Sequence, residues 1–383
     1  MKYYIIAGEA SGDLHGSNLI RALLKNDTDA TIRFWGGDAM RSACDASSHP
    51  QRHSMVRHIK DLAYMGFIEV ALHLKTVLGN ISFCKKDILD FCPDAIVYID
   101  YPGFNLKIAD FAHRHGFRNY HYISPQLWAW KKNRIHSMRR ILDKLFYILP
   151  FEQSFYAKNN FPQAEFVGHP LLDATENFSS ASKHSFDALF DTPQPIIGLL
   201  PGSRKQELKK MLPAMVRLAQ KHPEYNFVVA GMTLIGQPFY QKYLSANNSP
   251  ANIRLVLDQT YPLLAQSHAA VVCSGTATLE AALFNVPQVV CYRANAVSIA
   301  IARLFVGKRV KYISLVNLIA DQPIVKELIQ GDMNDDAIEQ EFHLISDSDT
   351  HRKNILEGYA RVRELLGNSG TSERVALKII NNE

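Results

Sequence analysis

Short apolar runs alternate with amphipathic stretches along most of the chain. The first run, Tyr3 to Ala7, is rich in aromatic and β-branched residues, and helical periodicity follows it. Comparable runs recur at Ile32–Trp35, Pro93–Ile99, Leu145–Leu149, Pro195–Leu200, Asn226–Ala230, Ile253–Leu257, Ala269–Cys273 and Val289–Tyr292. Continuous apolar runs of this length are typical of strands buried on both faces. Their alternation with helices predicts an α/β fold built on parallel sheets.

The length of the chain predicts more than one domain. At 383 residues the chain exceeds one small domain, and two Rossmann-like α/β domains are expected. A polar, Ser-rich segment from Thr175 to Ser185 separates the two groups of strands. We predict a first domain at residues 1–174 and a second at 175–345. Residues 346–383 are expected to form terminal helices, at about 349–366 and 371–380, that pack on the first domain or on a partner subunit.

The stretch from Leu62 to Ile81 has two apolar stripes when it is placed on a helix. The stripe predicted to face the core consists of Phe67, Val70, Ala71, Leu74, Leu78 and Ile81. The stripe on the opposite side consists of Met65, Ile68 and Leu72. A second apolar face either meets another element or touches lipid, and both interpretations stay open.

Composition and charge restrict the kinds of binding partner that we expect. A net charge of +5 favours anionic ligands such as phosphorylated substrates or an acidic membrane surface. Zinc-finger spacing and aromatic single-strand platforms are missing from the sequence, so nucleic acid is not an expected partner. Five cysteines without a C-x-x-C pair, no signal peptide and no membrane-spanning run indicate a cytoplasmic protein with reduced thiols. His49, His53 and His58 fit no common metal site and are expected on an exposed loop.

Polar residues follow two strands of the first half. Glu9, Ser11, Asp13 and His15 lie in a Gly-rich turn after the first strand, where open α/β sheets bind ligands. Asp13 could instead cap the turn, but capping needs one polar residue and four are present. Asp100 directly follows the strand that ends at Ile99, which is a position expected for a catalytic carboxylate; capping of the next helix is the alternative.

Two candidate anion-binding loops lie in the second half. Arg204 ends the loop Leu199–Arg204, and a strand passes into a helix within Val271–Leu283. Unpaired amides at such a helix start suit a phosphate. The residues concerned are Ser274, Gly275, Thr276 and Thr278. Glu280, one turn inside the helix, could hold sugar hydroxyls; a solvated Glu280 on a capped helix is the alternative.

Together these residues predict an enzyme that acts on a nucleotide-sugar. Arg204 and the helix amides would hold the diphosphate, Glu280 the ribose, and Asp100 would deprotonate an acceptor hydroxyl across a cleft. Because the sequence has no D-x-D pair after a strand, no metal and no cofactor are expected.

Seven segments of the chain resemble the lipid-A-disaccharide synthase family. They are AGEASGDLHG from Ala7, IDYPGFN from Ile99, ISPQLWAWK from Ile123, GHPLLD from Gly168, LLPGSRKQE from Leu199, SGTATLE from Ser274 and NLIADQPIVKELIQ from Asn317. The segments occur in the family's order over nearly the whole chain, and their combination is specific.

The resemblance implies a GT-B fold and an inverting, metal-independent glycosyltransferase. Its substrates would be UDP-2,3-diacylglucosamine and 2,3-diacylglucosamine 1-phosphate, and its products the β-1,6 lipid A disaccharide and UDP. By the same resemblance Asp100 is the proposed base, and Arg204, Glu280, Asn317 and Gln330 lie in motifs that line the UDP site. The family is peripheral at the cytoplasmic side of the inner membrane, and its members can be homodimers.

Two rival functions remain at the level of sequence. A UDP-sugar epimerase would share the two-domain plan and the diphosphate loops but would need no lipid surface. A non-catalytic nucleotide-binding module would keep Arg204 and Glu280 but would have no use for Asp100.

Overall fold

A computed structural model of the chain describes residues 1–61, 74–128, 132–176, 178, 185–245, 250–293 and 311–382. The predicted lipid-facing residues Met65, Ile68 and Leu72 lie outside the described residues, as do Phe67, Val70 and Ala71 of the predicted core stripe. The chain divides into two compact units. The first comprises Met1–Ala174 with Asn368–Glu383, and the second comprises Thr175–Gly367.

The first unit is a parallel sheet with helices between its strands. Its described strands are β1 (Lys2–Ala7), β2 (Thr31–Gly36), β3 (Ser54–His58), β4 (Ala95–Ile99), β5 (Asn119–Tyr122), β6 (Lys144–Tyr147) and β7 (Ala164–Phe166). Its described helices are α1 (Ala10–Asn26), α2 (Asp38–Asp45), α3 (Leu74–Phe91), α4 (Pro102–Arg114), α5 (Arg134–Ile141), α6 (Glu152–Lys158), α7 (Pro170–Glu176) and, from the end of the chain, α15 (Thr371–Asn381). Within the described residues the strand order is β3-β2-β1-β4-β5-β6-β7.

The second unit repeats this architecture. Its described strands are β8 (Ile196–Leu200), β9 (Asn226–Gly231), β10 (Ile253–Leu257), β11 (Ser267–Cys273), β12 (Gln288–Tyr292) and β13 (Glu327–Ile329). Its described helices are α8 (Lys205–Lys221), α9 (Gln237–Leu244), α10 (Thr260–Leu264), α11 (Thr276–Leu283), α12 (Leu315–Ala320), α13 (Asp335–Asp347) and α14 (Asp349–Leu366). The described strands follow the order β10-β9-β8-β11-β12-β13, all parallel.

Each sheet reverses its strand order once, which confirms the predicted pair of Rossmann-like domains. The reversal lies between β1 and β4 in the first unit and between β8 and β11 in the second. In open parallel sheets the loops at the carboxyl ends of these two strands diverge to opposite faces and leave a crevice for ligands. The central strands are fully buried, as their continuous apolar runs predict: all of β4 and all of β8 are buried.

Two predictions about local structure are wrong. His49 is an exposed loop residue as predicted, but His53 and His58 are half-buried: His53 Nδ1 accepts a hydrogen bond from Ile32 N at 3.3 Å, and β3 ends at His58. Leu78 is 52% exposed, although it was expected in the core stripe. Ile81 is buried as expected, and helix α3 also buries Cys84 and Ile88, which follow it at helical spacing. The buried face of this helix therefore extends past Ile81, where the predicted core stripe ends.

The terminal helices lie close to the predicted ranges but belong to different units. Helix α14 clusters with the second unit, and only Asn368–Glu383 clusters with the first. Asp173 fixes the start of α15 by accepting hydrogen bonds from the amides of Gly370, Thr371 and Ser372 at 2.7, 3.1 and 2.9 Å. In the part of the chain that is described, no helix combines the length and the apolar character needed to cross a membrane.

Candidate active site

The first unit brings Glu9 and Asp100 to the same crevice. Ala7 at the end of β1 pairs with Ile99 at the end of β4, so the residues after both strands emerge side by side. Gly8 is required here because an added Cβ would lie 2.4 Å from the ring of Tyr101. Glu9 follows Gly8 without capping α1 by a side-chain hydrogen bond. The two acidic residues that follow neighbouring strands are therefore both available at the reversal point of this sheet.

The backbone at Asp100 is held in an unusual conformation. Asp100 and Tyr101 both have left-handed backbone angles, with φ of 44° and 48°. Such angles are uncommon outside glycine, although aspartate adopts them more readily than most residues. Asn105 is fully buried and donates from Nδ2 to the Asp100 carbonyl oxygen at 2.7 Å. Helix α4 has no side-chain cap, so Asp100 does not serve the capping role considered as its alternative.

The surroundings of Asp100 make its carboxyl a weak acid. Burial, and then the negative charge of Glu9, raise the pKa of Asp100 from 3.8 to about 7. The residue as a whole stays only half-buried, so a substrate hydroxyl can still approach it. A general base works best when its pKa lies near the working pH. The arrangement suits proton abstraction from an alcohol at neutral pH.

Asp13 and His15 do not share this exposure. The Asp13 carboxylate accepts hydrogen bonds from the amides of Gly37, Ala39 and Met40 at 2.6, 3.0 and 3.1 Å, and thereby caps α2. His15 is 4% exposed, and burial lowers its pKa to about 4. Ser11 is exposed on the first turn of α1. Of the four polar residues in this turn, Glu9 and Ser11 remain open to a ligand, and Asp13 has a structural role.

Four adjacent strands of the second unit carry the other candidate residues at one edge of the sheet. Strands β8, β11, β12 and β13 are parallel neighbours, so their carboxyl ends lie along the same edge. Arg204 follows β8, Ser274 follows β11, and Gln330 follows β13. The sheet therefore gathers residues that are far apart in the sequence.

The loop after β8 differs from the predicted anion-binding loop. Glu207 accepts hydrogen bonds from the amides of Ser203 and Arg204, both at 3.3 Å. Gly202 has φ of 103°, and a Cβ there would meet the Glu207 carboxylate at 2.6 Å. These two amides are occupied, so the loop offers chiefly the Arg204 guanidinium. That side chain is 59% exposed, with a long contact of 3.4 Å to Glu207.

The start of α11 has accessible backbone amides, whereas Glu207 binds two amides of the loop after β8. Gly275 and Thr276 are exposed, and none of the described side chains caps this helix. Ser274 and Thr278 instead hold the turn: Ser274 Oγ donates to the Ile313 carbonyl oxygen at 3.0 Å, and Thr278 Oγ1 accepts from Leu315 N at 3.2 Å. The backbone amides, rather than the hydroxyls, are the groups suited to receive a phosphate.

Glu280 is the second carboxyl whose ionisation is disfavoured. Burial raises its pKa to about 7, and a hydrogen bond of 3.3 Å from the Tyr261 hydroxyl partly opposes this effect. The ring of Tyr261 packs against Phe284 at 5.4 Å and Phe178 at 6.0 Å. Glu280 is half-buried and forms no ion pair with the described residues, so it can accept hydrogen bonds from sugar hydroxyls, which would offset its desolvation.

Asn317 is engaged within the unit, and its partner Glu327 was not predicted. The Asn317 amide donates to the Val325 carbonyl oxygen at 2.8 Å and to Glu327 Oε1 at 2.9 Å, and its Oδ1 accepts from Val325 N at 3.0 Å. Glu327 also accepts from the amides of Ile313 and Ser314. Gln330 has φ of 58°, and its backbone N–H donates to the Tyr292 carbonyl oxygen at 2.9 Å. Asn317 and Glu327 therefore position the segment that leads to Gln330.

Sequence comparison identifies close relatives over almost the full length. A family model described as lipid-A-disaccharide synthetase matches residues 3–379. The lipid-A-disaccharide synthase of Syntrophus aciditrophicus is 36% identical over 97% of this chain and 95% of its own length. The enzyme of the same name from Acidobacterium capsulatum is 35% identical over 96% of this chain and 92% of its own length.

Solved structures with the same fold are more distant. The UDP-GlcNAc 2-epimerase of Neisseria meningitidis, bound to UDP-GlcNAc, has a TM-score of 0.69 at 14% identity and covers all of both chains. A glycosyltransferase of kitacinnamycin has a TM-score of 0.67 at 12% identity, over 99% of this chain and 98% of its own. At these identities the likeness confirms the GT-B architecture and does not discriminate between the two activities.

Proposed function

This chain belongs to the lipid-A-disaccharide synthase family, and we propose that it joins UDP-2,3-diacylglucosamine to 2,3-diacylglucosamine 1-phosphate. It is a glycosyltransferase of lipid A synthesis, and its substrates are in general terms a UDP-sugar and a lipid acceptor. We propose in addition which acylated sugars are the substrates, which role each residue has, and where the protein contacts the membrane.

Asp100 carries the proposed chemistry. Its carboxylate takes the proton from the acceptor's 6-hydroxyl while that oxygen forms a bond to C1 of the donor sugar. The bond between C1 and the diphosphate breaks at the same time, and UDP leaves with the electron pair. The single observation that supports this role is the half-buried carboxyl whose pKa is raised to about 7 at the reversal point of the first sheet.

The second unit would hold the UDP part of the donor. The exposed Arg204 guanidinium and the uncapped start of α11 supply positive charge for the diphosphate. Glu280 would accept hydrogen bonds from ribose hydroxyls, and Gln330 would approach the nucleotide from the neighbouring strand. Asn317 acts through Glu327 as a positioning residue.

A turnover assay with separate substrates tests this assignment. UDP release that needs both the donor and the acceptor supports the synthase. Release from the donor alone points to an epimerase or hydrolase, and no release at all points to a nucleotide-binding module. Asp100→Ala should abolish turnover and leave UDP affinity nearly unchanged, because the carboxyl does not contact UDP in this scheme. Retention of most of the rate would reject Asp100 as the base.

Peripheral binding to the inner membrane is a second part of the proposal. The acyl chains of both substrates favour a lipid surface, and Met65, Ile68 and Leu72 are the proposed contacts. C-terminal to these three residues, helix α3 keeps Leu78, Phe83 and Leu89 at 52%, 42% and 46% exposure. Exposed large apolar residues close to lysines are typical of surfaces that bind anionic lipid. Co-sedimentation with anionic vesicles tests the contact.

A homodimer is the third part. Helix α15 is attached to the first unit by hydrogen bonds from its start to Asp173 and by an ion pair of 2.7 Å between Lys378 and Glu165. In a dimer with crossed termini, the same contacts would form with the partner subunit. Sedimentation of the full chain would distinguish the two states: a monomer at all concentrations would reject the dimer.

A further inference from the structure

A second group of chemically active side chains lies in the second unit. One ligand atom from each of His222, Glu339 and His343 lies within 4.8 Å of the other two. His222 directly follows α8, which begins at the carboxyl edge of the sheet. Since a 17-residue helix is about 25 Å long, this group is remote from Arg204. It takes no part in the proposed transfer.

The two helices that supply these residues are fixed side by side. Glu339 and His343 are one turn apart on α13, so their side chains project from the same face. Arg217 of α8 makes two hydrogen bonds to Asp335 of α13, at 2.6 and 2.9 Å. Lys221 forms an ion pair with Glu339 Oε2, and none of the described residues forms an ion pair with Oε1. The framework around the group is thus built before any ion binds.

Both imidazoles are oriented by carboxylates. His222 Nδ1 lies 2.9 Å from Glu224 Oε1, and His343 Nδ1 lies 2.8 Å from Asp347 Oδ2. A carboxylate at Nδ1 favours the tautomer in which Nε2 carries the lone pair, and this is the usual arrangement of histidines that bind metals. We assign the tautomers from these hydrogen bonds.

The buried nitrogen of His222 is the strongest pointer to a ligand. His222 is 4% exposed, and its Nε2 has no hydrogen-bond partner among the described residues. A buried polar atom without a partner is unfavourable, because it has lost its contacts with water and gained none. A cation bound at Nε2 would satisfy that lone pair.

We propose that His222, Glu339 and His343 bind a divalent transition-metal ion, with zinc as the preferred occupant. Two imidazole nitrogens and one carboxylate oxygen are a common zinc donor set, and water would complete a tetrahedron. Metal bonds of about 2.0–2.2 Å require ligand atoms roughly 3.3 Å apart. Glu339 and His343 lie toward the surface, with 31% and 51% of their side chains exposed, and can close that distance by side-chain rotation. The ion would clamp the end of α8 to α13.

Calorimetric titration of the full chain with zinc chloride tests the proposal after treatment with a chelator. Cys92 is an exposed thiol and would compete for zinc, so every protein carries Cys92→Ser. We expect one ion per chain, and an affinity at least tenfold lower in His343→Ala and in Glu339→Gln. Glu341→Gln is the matched control, because it removes another carboxylate of α13 that pairs with a lysine, Lys326, at 3.7 Å.

Thermal unfolding gives a second readout. At a zinc concentration about 100 times the Kd of the control, the unfolding midpoint should rise by roughly 5–10 °C in the control and by about half as much or less in the His343→Ala protein, because its affinity is at least tenfold lower. His222→Gln removes the buried ligand, and if it fails to fold the two surface variants still decide. Equal zinc affinity in all variants, or no binding at micromolar zinc, would overturn the site. With cobalt as the probe, a thiolate charge-transfer band would also overturn it.

Discussion

Replacing Asp100 with asparagine should stabilise the first unit while it stops catalysis. Asparagine has nearly the same shape and tolerates the φ of 44° found at this position. It cannot ionise, so it removes the unfavourable charge near Glu9 and the desolvation that accompanies it. It also removes the proposed base. The same substitution therefore separates the role of the residue in stability from its role in turnover.

The size of the effect follows from the raised pKa of Asp100. A shift from 3.8 to about 7 is about three pH units, or about 4 kcal/mol at 1.36 kcal/mol per unit. Because water and side-chain relaxation reduce such costs, about 2 kcal/mol is the expected gain in unfolding free energy.

The gain should depend on pH in a defined direction. The folded state holds its proton more tightly than the unfolded state, so ionisation destabilises the wild-type fold as pH rises. Below about pH 4 both states are protonated and the variant gains nothing. Between about pH 4 and 7 the gain grows, and above pH 7 it stays constant.

Tryptophan fluorescence in urea measures the first unit selectively. All three tryptophans, Trp35, Trp128 and Trp130, lie within Met1–Ala174. The difference between Asp100→Asn and wild type is followed from pH 4 to pH 8, with Asp90→Asn as the control at an exposed aspartate. A difference that does not change with pH, or an asparagine protein that is less stable at pH 8, would refute the reasoning. Turnover near the wild-type rate would refute the catalytic role.

Four further predictions rest on single contacts. Glu9→Gln should lower the pH at which kcat/KM falls on its acid side, since Glu9 raises the pKa of Asp100; an unshifted pH profile would remove this coupling. Arg204→Ala should weaken UDP binding by roughly 10- to 100-fold, a loss typical of a charged hydrogen bond of about 1.5–3 kcal/mol. Lys209→Ala, in the helix that follows Arg204, should leave UDP binding unchanged, and calorimetry with UDP compares the two variants. Glu327→Ala should destabilise the second unit by about 2–4 kcal/mol, because it leaves buried donors unpaired. Hydrogen exchange at the Ile313 and Ser314 amides measures the destabilisation, and a loss smaller than this range would contradict the prediction. Replacing Met65, Ile68 and Leu72 with serine or glutamine should release the protein from anionic vesicles without unfolding it. Unchanged co-sedimentation would reject the lipid contact.

The long apolar strands were predictable because burial on both faces leaves a continuous signal. The runs that became β1, β4, β8 and β11 need no tertiary information beyond the sequence. The short strands β3, β5, β7 and β13 were missed, and they have three to five residues each. Strands β3, β7 and β13 lie at the edges of their sheets, where partial exposure interrupts the apolar pattern. Strand β5 is buried inside its sheet, but the polar residues Asn119 and His121 interrupt its apolar pattern.

Side-chain roles were less predictable than side-chain positions. Asp13 lies in the turn where the sequence placed it, yet its carboxylate serves α2, a helix 25 residues further along. Glu207 occupies the amides of the loop that ends at Arg204, and Asn317 is consumed by contacts with Val325 and Glu327. Each outcome depends on which hydrogen-bond donors the fold places next to a carboxylate. Spacing along the chain does not predict this.

By itself, the sequence determined the two α/β sheets, the family and the candidate residues that follow their strands. Strand length, apolar continuity and motif order are properties of neighbours along the chain, so they can be read before folding. Only the tertiary structure decided that Asp100 shares a crevice with Glu9 and that burial raises the pKa of Asp100 to about 7. It also decided that His222 meets Glu339 and His343. Packing brings together residues that are more than 90 positions apart in the sequence and removes water from around them. The loss of water raises the pKa of the Asp100 carboxyl and leaves the His222 Nε2 nitrogen free to bind a ligand.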